Sequence, residues 1–143
     1  MRARVRHVVV EALEIMTDED KQVAVGMVMP YTQHLESRVR HAAVQALAAI
    51  ACRGDESVLG VLAARMRDPQ PAVRKAALQA LPAVADLGNV MCMDRVIGRF
   101  VDPDDGVARA ASKAFVRIAG KDNDGAIGLL ESRLESGSSK MQV

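Results

Sequence analysis

A valine returns every 34 residues along this chain of 143, and this period is the feature that most constrains the fold. The repeated positions are Val5, Val39, Val73 and Val107. The segments that they head align without a gap and read VRHVVVEALEIM, VRHAAVQALAAI, VRKAALQALPAV and VARAASKAFVRI. A fixed period of this kind indicates a stacked array of one supersecondary unit, because no unit can bury its apolar face alone.

Each unit is predicted to contain two helices. In the Val-headed segments apolar residues recur at helical spacing, and turn-type residues such as Arg53-Gly54-Asp55 follow them. A second helix is predicted in each unit, at about residues 20–35, 55–67, 89–101 and 123–136. Proline corners at Asp68-Pro69 and Asp102-Pro103 then end one unit and start the next.

Composition agrees with closely packed helices and gives no sign of a global electrostatic role. Only 2% of the residues are aromatic and none is tryptophan, whereas alanine, valine and leucine are abundant. The formal net charge is +1, so no overall field draws in nucleic acid or an acidic membrane surface. Any charge-based recognition must therefore come from local placement of side chains.

The stretch LAARMRDPQPAVRKAALQALPAVA, from Leu62 to Ala85, closely resembles the core of a HEAT repeat. In that family an Asp-Pro corner is followed by Val-Arg and then by an Ala-rich helix. The second copy has Leu35-Glu36 in place of the corner, and the fourth has Ala108 in place of the arginine. The resemblance implies an all-α fold, a right-handed α-solenoid of stacked antiparallel helix pairs with about eight helices. We predict a single array over residues 1–136 and a flexible tail over 137–143.

Other repeats of the same length fit poorly. If Gly26 were the first-helix glycine of a tetratricopeptide repeat, small residues would follow where Arg38 and Gln45 stand. The Thr-Pro-Leu-His turn of ankyrin repeats is also missing.

The alignment of the repeats also leads to an expectation about the two ends of the chain. The chain begins at a Val-headed segment rich in apolar residues (Val8, Val9 and Val10) and stops at Met141, where a fifth segment would begin. Solenoids normally end in polar capping repeats. We therefore expect a fragment of a longer array, or a chain completed by a partner, with end-to-end self-association through the uncapped termini.

The sequence predicts no catalytic or metal centre and no cofactor. It contains no His-Glu-x-x-His, Cys-x-x-Cys, Gly-x-Ser-x-Gly or phosphate-binding glycine motif. Cys52 and Cys92 are expected within helices as small buried apolar residues. Without a signal peptide or a long apolar run, the chain is predicted to be soluble and cytoplasmic, in a reducing compartment.

A stripe of polar side chains is the candidate binding surface. The resemblance implies that the Val-headed helices line the concave face, where equivalent residues stack about 10 Å apart. We define the polar stripe by the third position of these helices and, in the last three units, the position one turn later, where the first unit has Glu11: His7, His41, Lys75, Arg109, Gln45, Gln79 and Lys113. An acidic peptide or acidic helix of another protein would meet matching charge along it. The alternative is a solvated polar face with intra-helix pairs such as His7 with Glu11.

Two further repeated features are expected to be structural. The resemblance implies that Arg6, Arg40 and Arg74 pair with the corner aspartate of their own or an adjacent unit and form a structural ladder, with Arg74 to Asp68 as the expected case. The glycines at one position of the second helices (Gly26, Gly60 and Gly128) are expected to permit close helix packing, with a ligand-contacting backbone as the alternative. Arginines of the second helices are expected to be ordinary solvated charges: Arg65, Arg67, Arg95 and Arg99.

The function predicted from these observations is a non-catalytic protein-interaction scaffold or adaptor that binds a partner along the concave face. The alternative is a bilin lyase or isomerase of the HEAT-like type, or its chaperone subunit, although no residue identifies a bilin site. Nucleic-acid binding is disfavoured by the near-neutral charge and the lack of tryptophan. No membrane association is expected.

Overall fold

The computed structural model describes residues 15–120 and 124–141, and within them the chain is helical, with no strand. The elements are α1 Asp18–Val28, a 3₁₀ helix Met29–Gln33, α2 Ser37–Ile50, α3 Glu56–Arg65, α4 Pro71–Val84, α5 Val90–Ile97, α6 Asp105–Ala119 and α7 Asp124–Met141. The all-α solenoid prediction is confirmed. The right-handed sense stays a prediction, and the segment headed by Val5 lies outside the described residues.

The helices form two layers. The Val-headed helices α2, α4 and α6 pack side by side in chain order, and the second helices α3 and α5 pack against α4 and α6. The core between the layers consists of aliphatic side chains that are almost fully buried, among them Leu47, Leu62, Leu81, Val96 and Ile118. This arrangement fixes which side chains remain exposed on each layer.

Short polar side chains begin most helices of the array. The carboxylates or amides of Asp55, Asn89 and Asp104 each accept a hydrogen bond from the backbone amide three residues on, at 3.1–3.2 Å. Such N-caps satisfy amides that have no partner inside the helix. Thr17 and Asp20 form a reciprocal capping box at the start of α1.

Three helix ends differ from the predicted ones. Helix α1 stops at Val28 and tightens into the 3₁₀ helix, because Pro30 has no amide with which to continue the α-helical bonding. Helix α5 stops at Ile97 rather than near 101, with Gly98 as its C-cap. Helix α7 continues to Met141, beyond the predicted end at 136, and the flexibility of the predicted tail stays a prediction.

Turn glycines connect neighbouring units at the C-terminal ends of the Val-headed helices. The amide of Gly54 donates to the carbonyl of Val84, and that of Gly88 donates to the carbonyl of Ile118, both at 2.6 Å. The two acceptors lie in the last turns of α4 and α6, where carbonyls lack intrahelical partners. Both glycines have positive φ, 84° and 78°, a conformation that side chains disfavour.

Buried arginine–aspartate pairs connect the units at the opposite ends of these helices. Arg40 binds Asp68 through two hydrogen bonds of 2.8 and 3.0 Å, and Arg74 binds Asp102 in the same way at 3.0 and 3.1 Å. We call these two pairs the buried ladder. The expected pairing of Arg74 with the Asp68 carboxylate is wrong: Arg74 donates to the main-chain carbonyl of Asp68, at 2.9 Å. The Asp68 carboxylate is already occupied by Arg40, whose helix lies beside α4.

The corner aspartates are held as carboxylates. Burial would raise the pKa of Asp68, but hydrogen bonds from Arg40 and the Gln70 amide, with the charge of Arg65, hold that pKa below its usual range. The same side-chain hydrogen bond raises the pKa of Arg40. Arg65 lies 3.0 Å from Asp68 and Arg99 lies 3.5 Å from Asp102, so describing these two arginines as ordinary solvated charges was wrong.

The repeated glycines of the second helices do not permit close helix packing, contrary to expectation. Gly26, Gly60 and Gly128 are exposed, and a Cβ added at any of them would meet no atom within 4 Å. Within the described residues, helix packing therefore does not explain why glycine recurs at this position.

This openness gives a prediction for stability. Replacing Gly26 or Gly60 with alanine should raise the free energy of unfolding by about 0.5–1 kcal/mol each, because alanine favours a helix interior over glycine and nothing obstructs its Cβ. Urea denaturation of the single variants provides the measurement. Gly54→Ala is the contrasting control, since its positive φ should make the same substitution destabilising. A loss of stability in both Gly26→Ala and Gly60→Ala would show that the glycines are packed against something else.

The two cysteines differ in their surroundings. Cys92 is buried in α5, as expected, and burial raises the pKa of its thiol. Cys52 is only half-buried and lies just after α2 rather than within a helix. Among the described helices, none combines the length and the apolar character needed to cross a membrane.

Candidate functional site

A groove of about 410 Å³ lies between the Val-headed helices α4 and α6. We call it the basic groove, since its charged lining residues are all cations and no carboxylate lines it. Its lining residues are Lys75, Leu78, Gln79, Pro82, Gly106, Arg109, Ala110, Lys113, Ala114 and Arg117.

Helical spacing places the polar side chains of the basic groove. On α4, Lys75 and Gln79 lie one turn apart and both are exposed. On α6, Arg109, Lys113 and Arg117 follow one another at four-residue intervals, so their side chains rise along one face by about 6 Å per step. The groove therefore has a cationic wall on α6 and a mixed wall on α4.

The floor of the groove is apolar and narrow. Leu78, Ala110 and Ala114 are buried there, and the small alanines let α4 and α6 approach each other. Pro82 also lines the groove and has no amide hydrogen to donate to the Leu78 carbonyl one turn earlier. An apolar floor between polar walls is suited to a ligand with both polar and apolar side chains.

Four of the seven residues of the polar stripe meet in this groove: Lys75, Gln79, Arg109 and Lys113. His41 and Gln45 lie on the neighbouring helix α2, where His41 is half-buried and Gln45 is exposed, and they do not line the groove. His7 lies outside the described residues. A binding role for any of these residues stays a prediction.

Sequence reasoning missed Arg117. Alignment of the repeats gives no indication of Arg117, because the equivalent positions in the third and second units hold Ala83 and Ala49. The four-residue spacing from Arg109 through Lys113 is the signal that identifies it.

No metal centre is evident in residues 15–120 and 124–135. No group of three or more histidine, cysteine, aspartate or glutamate side chains is placed there to hold an ion. The buried carboxylates of Asp68 and Asp102 are instead occupied by arginines.

Comparison with known proteins gave one match. The family model described as HEAT repeats matches residues 1–82, which include α1 to α3 and most of α4. No curated protein matches the chain, and no solved structure does. Half of the basic groove, the wall formed by α6, lies beyond the matched residues.

Proposed function

Because this chain belongs to the HEAT-repeat family, we propose that it is a non-catalytic scaffold or adaptor that binds an acidic segment of a partner protein in the basic groove. HEAT repeats are commonly protein-interaction scaffolds and are generally non-catalytic. The observation that carries the proposal is the unbalanced charge of the groove: Lys75, Arg109, Lys113 and Arg117 line it, without any carboxylate.

The arrangement of these cations supports an acidic helix as the partner segment. Carboxylates four residues apart on a helix rise by about 6 Å per step, the same interval that separates Arg109, Lys113 and Arg117 on α6. A partner helix lying along α6 could therefore place a carboxylate near each cation while apolar side chains between them contact Ala110 and Ala114. Complementary charge of this kind contributes to specificity and to the rate of association.

The composition of the groove favours a protein over a nucleic acid. No aromatic side chain lines it, whereas binding of single-stranded nucleic acid relies on stacking of bases on aromatic rings. Its apolar floor also favours side chains over a phosphate backbone. Salt dependence alone would not separate the two partners, since both are anionic.

Reversing two charges tests this proposal. Lys75→Glu combined with Arg109→Glu should weaken partner capture by the full-length protein by at least about tenfold, because repulsion replaces attraction on both walls. Quantitative affinity capture with mass spectrometry provides the measurement, and circular dichroism confirms that helicity is intact.

The matched control changes the net charge equally at Lys21 and Arg38, neither of which lines the groove. Partners that bind in the basic groove should be retained by Lys21→Glu with Arg38→Glu. Equal loss in both double variants, or no loss in either, would contradict the proposal.

A further inference from the structure

Two adjoining grooves lie on the other layer, between the second helices α3 and α5. One groove, of about 510 Å³, contains four guanidinium groups, and we call it the arginine groove: Arg67, Arg95, Arg99 and Arg133. An adjoining, mainly apolar compartment of about 330 Å³ is lined by Leu59, Met66, Leu81, Met91 and Cys92, and its polar lining residues are Glu56, Asn89 and Arg95. The two share Gly60, Ala63, Met66 and Arg95, so they form one continuous depression with a cationic and an apolar end.

The cationic end carries charge that the described residues do not neutralise. Arg133 binds Asp94, with an Nε to Oδ1 distance of 2.7 Å, and Arg99 lies 3.5 Å from Asp102. Arg67 and Arg95 form no ion pair with any residue of the described part of the chain. Two guanidinium groups are thus available for an anion, with geometry suited to a carboxylate.

Gly60 keeps the junction between the two ends open. It lines both compartments, it is exposed, and no atom lies within 4 Å of where its Cβ would be. A side chain at this position would extend into the space where the two ends join. Gly60 therefore lines the junction without a side chain that would fill it.

We propose that this depression binds a short segment of a partner protein in which an acidic side chain stands next to an apolar one. The acidic side chain pairs with Arg67 and Arg95, and the apolar side chain enters the compartment beside Met91 and Leu59. The two ends differ in chemistry: Arg67, Arg99 and Arg133 line only the cationic end, and Leu59, Leu81 and Met91 line only the apolar end, with Arg95 and Met66 at the junction. This site lies on the opposite helix layer from the basic groove and does not depend on it.

A steric variant tests the site without disturbing the fold. The probe is a short fluorescently labelled peptide of alternating glutamate and leucine, titrated with the full chain and followed by anisotropy. Gly60→Leu should weaken its binding by at least about tenfold, because the new side chain fills the junction while leucine remains a good helix former. Gly26→Leu is the matched control, since Gly26 occupies the same repeat position and lines neither compartment.

Charge variants of the protein and sequence variants of the peptide show where the peptide binds. Arg67→Glu with Arg95→Glu should weaken binding to a similar extent, whereas Lys21→Glu with Arg38→Glu, which changes the net charge equally outside both compartments, should leave it unchanged. Replacing glutamate by lysine or leucine by serine in the peptide should weaken binding, because each end of the depression then loses its complement. The proposal is overturned if Gly60→Leu binds like Gly26→Leu, or if the serine peptide binds as well as the leucine peptide. It is also overturned if binding is lost only in Lys113→Glu with Arg117→Glu, because the peptide would then occupy the basic groove.

Discussion

Replacing Asp68 with asparagine is expected to lower the free energy of unfolding by about 3 kcal/mol, because it removes the carboxylate from a buried ion pair and leaves the Arg40 guanidinium without its counter-charge. The Asp68 side chain is fully buried and also binds Arg65 and the Gln70 amide. Asparagine keeps one acceptor oxygen, and its NH₂ group would face the donors that the other carboxylate oxygen now accepts from.

Urea denaturation at neutral pH measures this effect. Asp105→Asn is the matched control, since Asp105 is exposed in the first turn of α6 and should change stability by no more than about 1 kcal/mol. Asp102→Asn should lie between the two, because Arg99 is farther from Asp102 than Arg65 is from Asp68. Equal, small losses in all three variants would show that the buried ladder contributes little to stability.

Acid is expected to destabilise the protein through the same two aspartates. Burial raises the pKa of Asp68 and of Asp102, but in each the hydrogen bonds and nearby arginines outweigh burial, so the folded-state pKa lies below the ordinary value. A lowered folded-state pKa means that the stabilisation is complete above the unfolded-state pKa of about 3.9 and is lost as pH falls through the folded-state pKa. Stability should therefore fall steeply below about pH 4.

Denaturation curves recorded from neutral pH down to about pH 3 test this dependence. The Asp68→Asn, Asp102→Asn double variant should be less stable at neutral pH but should show a shallower decline in acid, since the two linked protonations are gone. A decline as steep as that of the unmodified protein would assign the acid sensitivity to other carboxylates. Asp105→Asn again serves as the control and should keep the steep decline.

The period of 34 residues was enough to predict the helix pairs, because it aligns equivalent core positions without a gap. Val73 and Val107 are fully buried as this alignment requires, whereas Val39 is only half-buried. Helix ends were less predictable, since they depend on local features such as Pro30 and Gly98 that occur in single copies.

The corner before each arginine of the buried ladder does not contain the aspartate that the arginine binds. That aspartate lies further along the chain, in the corner of the next unit. Both observed pairs join residues 28 positions apart. At the same spacing Ala108, which replaces the arginine in the fourth unit, corresponds to Ser136, which replaces the aspartate. In the first unit, by contrast, Arg6 is retained although the residue 28 positions on is His34, so this spacing identifies the acceptor only where an aspartate is present.

The candidate site was predicted in part. Repeat register brought Lys75, Gln79, Arg109 and Lys113 to one face, and they line one groove. It could not reveal Arg117, which is unique to the fourth unit, nor that Arg67 and Arg95 line one groove with Arg99 and Arg133, two arginines that share a repeat position. Residues that recur in every unit can be assigned to a face from the sequence alone. A groove formed by residues of a single unit can be identified only from the packed structure.

Site-specific photo-crosslinking tests most directly the claim that a partner binds in the basic groove. A photoreactive residue at Gln79, which lines the groove, is compared with one at Val116, which is exposed on α6 but does not line it. The proposal predicts a partner crosslinked from position 79 but not from 116, and loss of that product when Arg109 and Lys113 are changed to glutamate. Equal products from both positions, or a product at 79 that survives the charge reversal, would contradict it.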